Sequence, residues 1–186
     1  MVWGHRKGCS DMSANSPLNA KQASGILTRP AVLLSSPKYR VIHVACGHNF
    51  TIAVLHNGQV LSWGSNSYGA LGHGNTKDYP APKVIETLKD EIIVSADAGH
   101  SHAGFITLQG KLYMCGKGKE GALGLGNKKL KDETSPQLVT FPEDEHVVQL
   151  SCSKGEHHEH TLALTNSGRV YAWGDGYKGK VGTVLY

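Results

Sequence analysis

The sequence predicts an all-β fold in which small antiparallel sheets repeat along the chain as the blades of a β-propeller. A glycine-rich pattern recurs at intervals of about 50 to 60 residues, and each copy contains short β-rich runs joined at Xaa-Gly dipeptides. No segment carries a long apolar period of 3.6 residues, so helix should be scarce. Sheets that repeat at this spacing stack linearly or radially, and a propeller is the closed arrangement.

The repeat is clearest between residues 41–74 and 93–126, which align without a gap at a distance of 52 residues. Nine of the 34 aligned positions are identical, and six of the nine are glycine. A third copy follows in which Trp63-Gly64 recurs as Trp173-Gly174, and a degraded copy opens the chain at Trp3-Gly4. A period of this length indicates one small group of strands per copy.

Each copy is predicted to form short strands joined by tight turns. In the first full copy the strand-forming runs are residues 43–46, 51–55, 59–63 and 83–85. Gly47-His48 divides the first two runs, and Asn57-Gly58 predicts a two-residue type I′ hairpin turn into the third. Gln109-Gly110 and Ser167-Gly168 stand at the same place in the later copies.

Closely spaced glycines follow the third run of each copy. Gly69, Gly72 and Gly74 predict tight turns and a close approach of neighbouring backbone. A polar stretch containing Pro80 and Pro82 then leads into the fourth run.

Residues 41–74 contain, in order, Gly-His-x-x-Thr, Asn-Gly-x-Val-x-x-Trp-Gly and Tyr-Gly-Ala-Leu-Gly-x-Gly. This order resembles the regulator of chromosome condensation (RCC1-like) repeat, and the resemblance covers roughly residues 41–182. It implies four-stranded antiparallel blades, usually seven to a ring. It also implies one of the family's uses: nucleotide exchange on a small GTPase, docking to chromatin, or scaffolding in larger ubiquitin-ligase or ciliary proteins.

The sequence departs from the family pattern at several positions. In the second full copy Cys115 replaces the tryptophan and Ala103 replaces the threonine. The third copy holds four more residues at 153–160 than the first holds at 47–50. A plant ultraviolet photoreceptor of this family uses clustered tryptophans, but the corresponding positions here hold none, so light sensing is not expected.

We expect an incomplete propeller, because three copies and a remnant are about half of the family's usual ring. The predicted units are a degenerate blade portion with a long loop at 1–40, repeats at about 41–92 and 93–146, and a truncated repeat at 147–186. Exposed strand edges invite association. The chain is therefore expected to be a truncated isoform, a fragment, or a chain completed by self-association or by a partner.

Composition bounds the classes of protein that the sequence can encode. Glycine supplies 23 of the 186 residues, against a typical share of roughly 7%, which argues against a disordered chain or a coiled coil. The net charge of +4 is too small to indicate nucleic-acid binding by itself. No stretch approaches the roughly 18 apolar residues of a membrane span, and no secretory signal is visible. We expect an intracellular protein, cytoplasmic or nuclear.

The four cysteines lie far apart, at Cys9, Cys46, Cys115 and Cys152, with no Cys-x-x-Cys pair. This spacing is typical of buried small residues in a reducing compartment rather than of a disulfide framework or a zinc site.

Three histidines offer an alternative function. His157, His158 and His160 lie among two glutamates, and zinc requires three or four such ligands that converge from fixed elements. The repeat supports a structural interpretation instead, because His48 and His100 occupy the same turn in the other copies. There a histidine ring can hydrogen-bond the backbone of the neighbouring blade.

The densest basic group lies in and beyond the second glycine-rich connection. Lysines in such a loop could contact phosphates or an acidic protein surface, or could simply keep the loop solvated. The five candidates for partner binding are Lys117, Lys119, Lys128, Lys129 and Lys131.

The sequence predicts a non-catalytic interaction scaffold that uses no cofactor. No P-loop is present, and Gly116-x-Gly118-x-x-Gly121 lacks the helix that a dinucleotide site requires. Trp63 and Trp173 are expected to pack between blades.

The expected partner is a protein, such as a small GTPase or a chromatin component. The loop residues of the family's nuclear-transport exchange factor cannot be matched here, so a generic scaffold is preferred over guanine-nucleotide exchange. The alternative from another class is a metal-dependent enzyme using the three histidines.

Overall fold

The computed structural model describes residues 2–5, 26–37, 39–126, 130–142 and 144–182, which form thirteen strands and two short 3₁₀ turns. The strands are Val2–His5 (β1), Ile26–Ala31 (β2), Val41–Cys46 (β3), Phe50–Leu55 (β4), Val60–Gly64 (β5), Tyr79–Val84 (β6), Ile93–Ala98 (β7), His102–Thr107 (β8), Leu112–Gly116 (β9), Glu133–Val139 (β10), Val147–Cys152 (β11), His160–Thr165 (β12) and Val170–Gly174 (β13). The 3₁₀ turns are Glu86–Leu88 and Tyr177–Gly179. No helix in these ranges is long and apolar enough to cross a membrane.

The strands form sheets that follow chain order, with every neighbouring pair antiparallel. Strands β3–β6 make blade 1 and β7–β10 make blade 2, each with four strands, while β11–β13 make blade 3 with three. Strands β1 and β2 pair separately near the start of the chain. The predicted all-β fold of antiparallel blades in an incomplete propeller is confirmed, and the described part of blade 3 lacks the fourth strand of the other blades.

The hairpin between the second and third strands of each blade differs from the predicted turn. In blade 1, Leu55 N–H donates to Gln59 O at 2.8 Å and Gly58 N–H donates to Leu55 O at 2.9 Å. Gly58 has a φ of 83°, whereas Asn57 is not at positive φ, so the predicted two-residue type I′ turn is wrong. The loop has three residues and ends in a left-handed glycine, which suits the twist of the flanking strands equally well. The corresponding glycines in blades 2 and 3 are Gly110 (φ 77°) and Gly168 (φ 82°).

The hairpin glycines also join one blade to the next. Gly58 O accepts a hydrogen bond from Ile93 N–H at 3.1 Å, and Gly110 O accepts the equivalent bond from Val147 N–H at 2.8 Å. Both bonds reach the start of the next blade's first strand, and those first strands contact one another. The hairpins of blades 1 and 2 therefore lie in equivalent surroundings, as rotation of one module about a common centre requires, whereas no described heavy atom lies within 4 Å of the position that a Cβ on Gly168 would take.

Apolar side chains fill the space between blades. Phe50, Ile52 and Leu71 of blade 1 join Phe105 and Cys115 of blade 2 in one cluster. A second cluster lies between blades 2 and 3, and a third packs Trp63 against Leu33 and its neighbours. Most of this core is less than one-tenth exposed, so the blades are stabilised by burial against each other rather than alone.

The tryptophan position of the repeat provides a hydrogen bond between blades. Trp173 Nε1–H donates to Ala122 O of blade 2 at 2.8 Å, and Cys115 Sγ–H donates to Ala70 O of blade 1 at 3.4 Å. Trp63 is 2% exposed, and its Nε1 has no hydrogen-bond partner in the described part of the chain. The prediction that the tryptophans pack between blades is confirmed for Trp173, whereas Trp63 packs against Leu33 and residues of its own blade, and Cys115 performs the tryptophan's donor role.

The fourth strand of blade 1 begins earlier than predicted. Pro80 and Pro82 lie inside β6 rather than before it, which an outer strand tolerates because its free edge needs no N–H donor.

Two of the cysteines are buried as predicted, and a third is not. Cys115 and Cys152 are buried free thiols, and burial raises the pKa of each. Cys46 is free but exposed, because it ends β3 on the side that faces away from the core. Cys9 lies outside the described residues.

Candidate interaction site

One end of each blade carries most of the loops that the sequence singles out. Because neighbouring strands are antiparallel, the turn after the first strand lies at the same end as the connection after the third. We call this end the turn face. Its described residues are 47–49, 65–78, 99–101, 117–126, 130–132, 153–159 and 175–182.

A shallow pocket of about 100 Å³ lies on the turn face between blades 1 and 2. Its wall includes His48 and His100, whose rings stack with centroids 4.3 Å apart. Tyr68 stands at the rim and is 40% exposed. Burial, followed by the neighbouring His48 ring, lowers the pKa of His100. The two histidines are turn residues as predicted, but the ring of one contacts the ring of the other instead of a backbone group.

A buried ionic network supports this surface from the side of blade 3. The Glu159 side chain is 1% exposed, and its Oε2 is hydrogen-bonded to His102 Nδ1 at 2.9 Å. The other ring nitrogen, His102 Nε2, is hydrogen-bonded to Thr161 Oγ1 at 3.1 Å. Lys117 Nζ lies 3.4 Å from Glu159 Oε1, and Glu159 N–H donates to Glu120 Oε2 at 2.8 Å. The network therefore ties the start of β8 and the connection after β9, both in blade 2, to the long turn of blade 3.

The charges in this network stabilise one another despite their burial. Burial alone would raise the pKa of Glu159, but the hydrogen bond from His102 and the charge of Lys117 outweigh it and lower that pKa. Burial also opposes the charge on Lys117, whose pKa is nevertheless raised by Glu159 and Glu120. Since Glu159 and His102 are both buried, they contact other blades rather than solvent, and their role in this arrangement is structural.

The structure does not bring the three candidate metal ligands together. His158 Nδ1 is hydrogen-bonded to Asp175 Oδ2, and its ring stacks on Tyr177 with centroids 4.6 Å apart. His160 Nδ1 is buried and has no hydrogen-bond partner within the ranges given above. Across those ranges no group of three His, Cys, Asp or Glu side chains could hold a metal ion, and His157 is exposed.

The candidate lysines fall into different environments. Lys117 is largely buried in the network with Glu159, whereas Lys119 is exposed on the turn face. Lys131 is 72% exposed and lies 3.4 Å from Glu133 Oε1. Lys128 and Lys129 lie outside the described residues.

Sequence reasoning missed Tyr68 and the network of Glu159, His102, Lys117 and Glu120. A signal was present in the internal alignment: His102 stands where the first copy has Phe50, and Lys117 and Glu120 stand where it has Ser65 and Tyr68. Charged or polar residues that replace neutral ones at matching positions indicate a contact specific to one blade junction.

These features define a repeat protein of the β-propeller class, with its candidate site on a loop-bearing face. Residues 57–106 and 109–164 match the family model of the regulator of chromosome condensation (RCC1) repeat, and residues 41–70 match a second model with that description. The chain belongs to the RCC1 repeat family.

Two relatives illustrate the similarity in sequence. The chain is 39% identical over 153 residues to the ultraviolet-B receptor UVR8 of Arabidopsis thaliana, covering 82% of this chain and 33% of the relative. It is 38% identical over 141 residues to the E3 ubiquitin-protein ligase HERC2 of Homo sapiens, covering 76% of this chain and 3% of the relative. The chain thus spans about a third of UVR8 and a small part of HERC2.

Solved structures show the same fold. Human WBSCR16 superposes with a TM-score of 0.72 at 17% identity, covering 94% of this chain and 43% of that one. Prp20p of Saccharomyces cerevisiae superposes with a TM-score of 0.63 at 28% identity, covering 77% and 34% respectively. The structure of Prp20p was described together with its binding properties to Gsp1p and histones.

Proposed function

We propose that this chain is a non-catalytic protein-interaction scaffold that binds its partner through the turn face. The observation that carries the proposal is the exposed Tyr68 beside the stacked His48 and His100, over a shallow pocket on rigid blades. Aromatic side chains held on a rigid support are typical of binding hot spots. The acid and base that lie near this surface, Glu159 and His102, are engaged between blades, which supports binding rather than catalysis.

The partner classes that we propose are a small GTPase and the histones of chromatin. Prp20p supports both, since it was studied with Gsp1p and histones. For a GTPase, the activity would be guanine-nucleotide exchange, in which the scaffold stabilises the nucleotide-free form relative to the bound form. For a GTPase partner, Lys119 and Lys131 are exposed at this face and would contact its acidic groups. We propose residence in the cytoplasm or nucleus, where both partner classes occur.

Tyr68→Ala is expected to weaken partner binding about tenfold, because it removes the exposed aromatic ring at the pocket rim. The purified chain would be titrated by biolayer interferometry against small GTPases, both nucleotide-free and GDP-bound, and against core histones. Release of a fluorescent nucleotide from the same GTPases would separate exchange activity from simple docking.

The matched control for this experiment is Leu108→Ala. Leu108 is 63% exposed and lies in a hairpin at the opposite end of blade 2, so its removal should leave binding unchanged. Equal losses of affinity in the two variants would mean that the partner does not bind at the pocket beside Tyr68. Absence of saturable binding to every GTPase and histone tested would contradict the proposed partner classes.

A further inference from the structure

The pocket between blades 1 and 2 has a counterpart between blades 2 and 3, and the chain itself fills that counterpart. Ser65 N–H donates to Asn49 O at 2.8 Å, and Lys117 N–H donates to Ser101 O at 2.9 Å. Lys117 therefore holds in blade 2 the position that Ser65 holds in blade 1. Its ammonium group lies in the junction with blade 3, 3.4 Å from Glu159 Oε1. The short Ser65 side chain provides no such group, and it lines the open pocket.

The two carboxylates beside that ammonium group are also replaced at the pocket. Glu120 corresponds to Tyr68, 52 residues earlier in the aligned repeat. Glu159 corresponds to Ser101, since each carbonyl accepts the same bond from the residue after the third strand of its blade. Across the described residues, the pocket wall contains no Lys, Arg, Asp or Glu. The pocket is thus a cation position of the repeat that has lost both the cation and its salt bridge.

Ring faces replace the carboxylates at this position. The His48 and His100 rings stack at 4.3 Å with an angle of 27° between their planes, beside the exposed ring of Tyr68. Because burial lowers the pKa of His100, its imidazole is neutral near pH 7 and presents a ring face rather than a charge. Lys117 Nζ lies 6.0 Å from the Tyr68 ring centroid, at the outer limit of a cation–π contact, so the ring can accept a closer cation.

The fixed charges behind the pocket wall favour a positive occupant. Glu156, Glu159 and Lys117 act on His100, and Glu120 lies 3.3 Å from Lys117 Nζ. Three carboxylates therefore surround one ammonium group, and the charge behind the wall is negative on balance. An anionic group in the pocket would be repelled by this surplus.

We propose that this pocket binds the guanidinium group of an arginine in a basic segment of the partner. The planar group stacks on the ring of Tyr68 and on the paired imidazoles, while the carboxylates behind them offset its charge. Arginine suits this pocket better than lysine, whose ammonium group is a compact and strongly hydrated charge. The inference rests on the proposed function, because it names the group that the partner places on the turn face. Of the two proposed partner classes, it favours the basic histones.

The test titrates the peptide Gly-Ala-Arg-Ala-Gly, acetylated and amidated, into the full chain and follows the His48 and His100 ring signals by NMR. We expect saturable shifts at millimolar peptide. Citrulline in place of arginine keeps the shape without the charge and should weaken binding about fivefold, since the cation–π attraction is lost. Absence of saturation, equal binding of the citrulline peptide, or tighter binding of a peptide with glutamate at that place would overturn the proposal.

The pH dependence of peptide binding provides a second readout. Protonation of the imidazole pair places positive charge against the guanidinium group, so affinity should fall as the pH is lowered from about 7.5 towards about 5. The carboxylate of Glu159, whose pKa is lowered, stays charged over this range. Binding that strengthens on acidification would indicate an anionic occupant and would overturn the proposal.

Protein variants locate the site. Tyr68→Ala should reduce the affinity for the arginine peptide about fivefold, whereas Tyr68→Phe, which keeps the ring, should retain it. The matched control is Tyr177→Ala, because Tyr177 is 55% exposed on the same face but belongs to blade 3 and does not line the pocket. Equal losses in Tyr68→Ala and Tyr177→Ala would contradict binding at this pocket.

Failure of this inference and failure of the proposed function give different results. If Tyr68→Ala weakens binding of a GTPase or a histone but the arginine peptide does not bind, the inference is overturned and the proposed function stands. If the arginine peptide binds with the expected dependence on charge and pH but no GTPase or histone does, the inference stands and the proposed partner classes are contradicted.

Discussion

Replacing Glu159 with alanine is expected to lower the free energy of unfolding by about 3 kcal/mol, the scale seen when one partner of a buried ion pair is removed. The Glu159 side chain is 1% exposed and faces His102 at 2.9 Å and Lys117 at 3.4 Å. Alanine would leave the buried His102 without a carboxylate partner, and Lys117 with Glu120 alone. Urea unfolding of the variant and the wild type would measure the loss directly.

Glu156→Ala is the matched control, because Glu156 lies in the same turn but is exposed. The effect of Glu156→Ala on the free energy of unfolding should stay within about 0.5 kcal/mol.

The stabilisation by Glu159 should depend on pH. Since the pKa of Glu159 is lowered in the folded protein, its contribution to stability is complete above the ordinary carboxyl pKa of about 4.3 and is lost as the pH falls through the lowered value. The difference between wild type and Glu159→Ala should therefore shrink on acidification. A difference that is independent of pH would show that the carboxylate charge does not stabilise this junction.

The fold could be predicted because the repeat's landmarks carry backbone requirements that the sequence displays directly. The glycine after each tryptophan or cysteine has nearly the same φ in all three blades, at 112°, 108° and 103°. Few residues other than glycine adopt such angles, so the residue type itself reports the conformation. The type I′ prediction for the hairpin was wrong because Asn57-Gly58 is compatible with both a two-residue and a three-residue loop, and only the register decides between them.

The candidate site could be predicted only in part, because it depends on which loops meet. Lys117 comes from the connection after β9, His102 from the start of β8 and Glu159 from the long turn of blade 3, and no local spacing connects them. The histidines of the blade 3 turn suggested a metal site because their spacing is local. Their geometry is set instead by tertiary contacts, such as that of His158 with Asp175 and Tyr177. Sequence patterns therefore predict the backbone conformation of each blade better than they predict which side chains contact each other across two blades.

Gly64→Ala is expected to cost about 4 kcal/mol and to lower the melting temperature by about 12 °C, the largest effect of any substitution considered. The φ of 112° places residue 64 in a region that alanine rarely adopts, which costs about 1–3 kcal/mol. An added Cβ would also lie 2.4 Å from Asn49 O and 2.7 Å from Phe50 Cα, and overpacking of this kind costs about 1–3 kcal/mol more. Both contacts are with backbone atoms of the adjacent turn and strand, so the clash can be relieved only if β4 and β5 separate. Each kcal/mol of lost stability lowers the melting temperature of a chain of this size by about 2–4 °C, so a loss of about 4 kcal/mol lowers it by about 12 °C.

Gly168→Ala separates the two causes of this loss. Gly168 also has a positive φ, at 82°, but no described heavy atom lies within 4 Å of where its Cβ would be placed. Its substitution should therefore show the conformational cost alone, about 1–2 kcal/mol. Differential scanning calorimetry of the two variants would measure both shifts. Equal melting temperatures would mean that the close approach of neighbouring backbone at Gly64 does not constrain the blade, and that the glycine recurs in the repeat for its backbone conformation only.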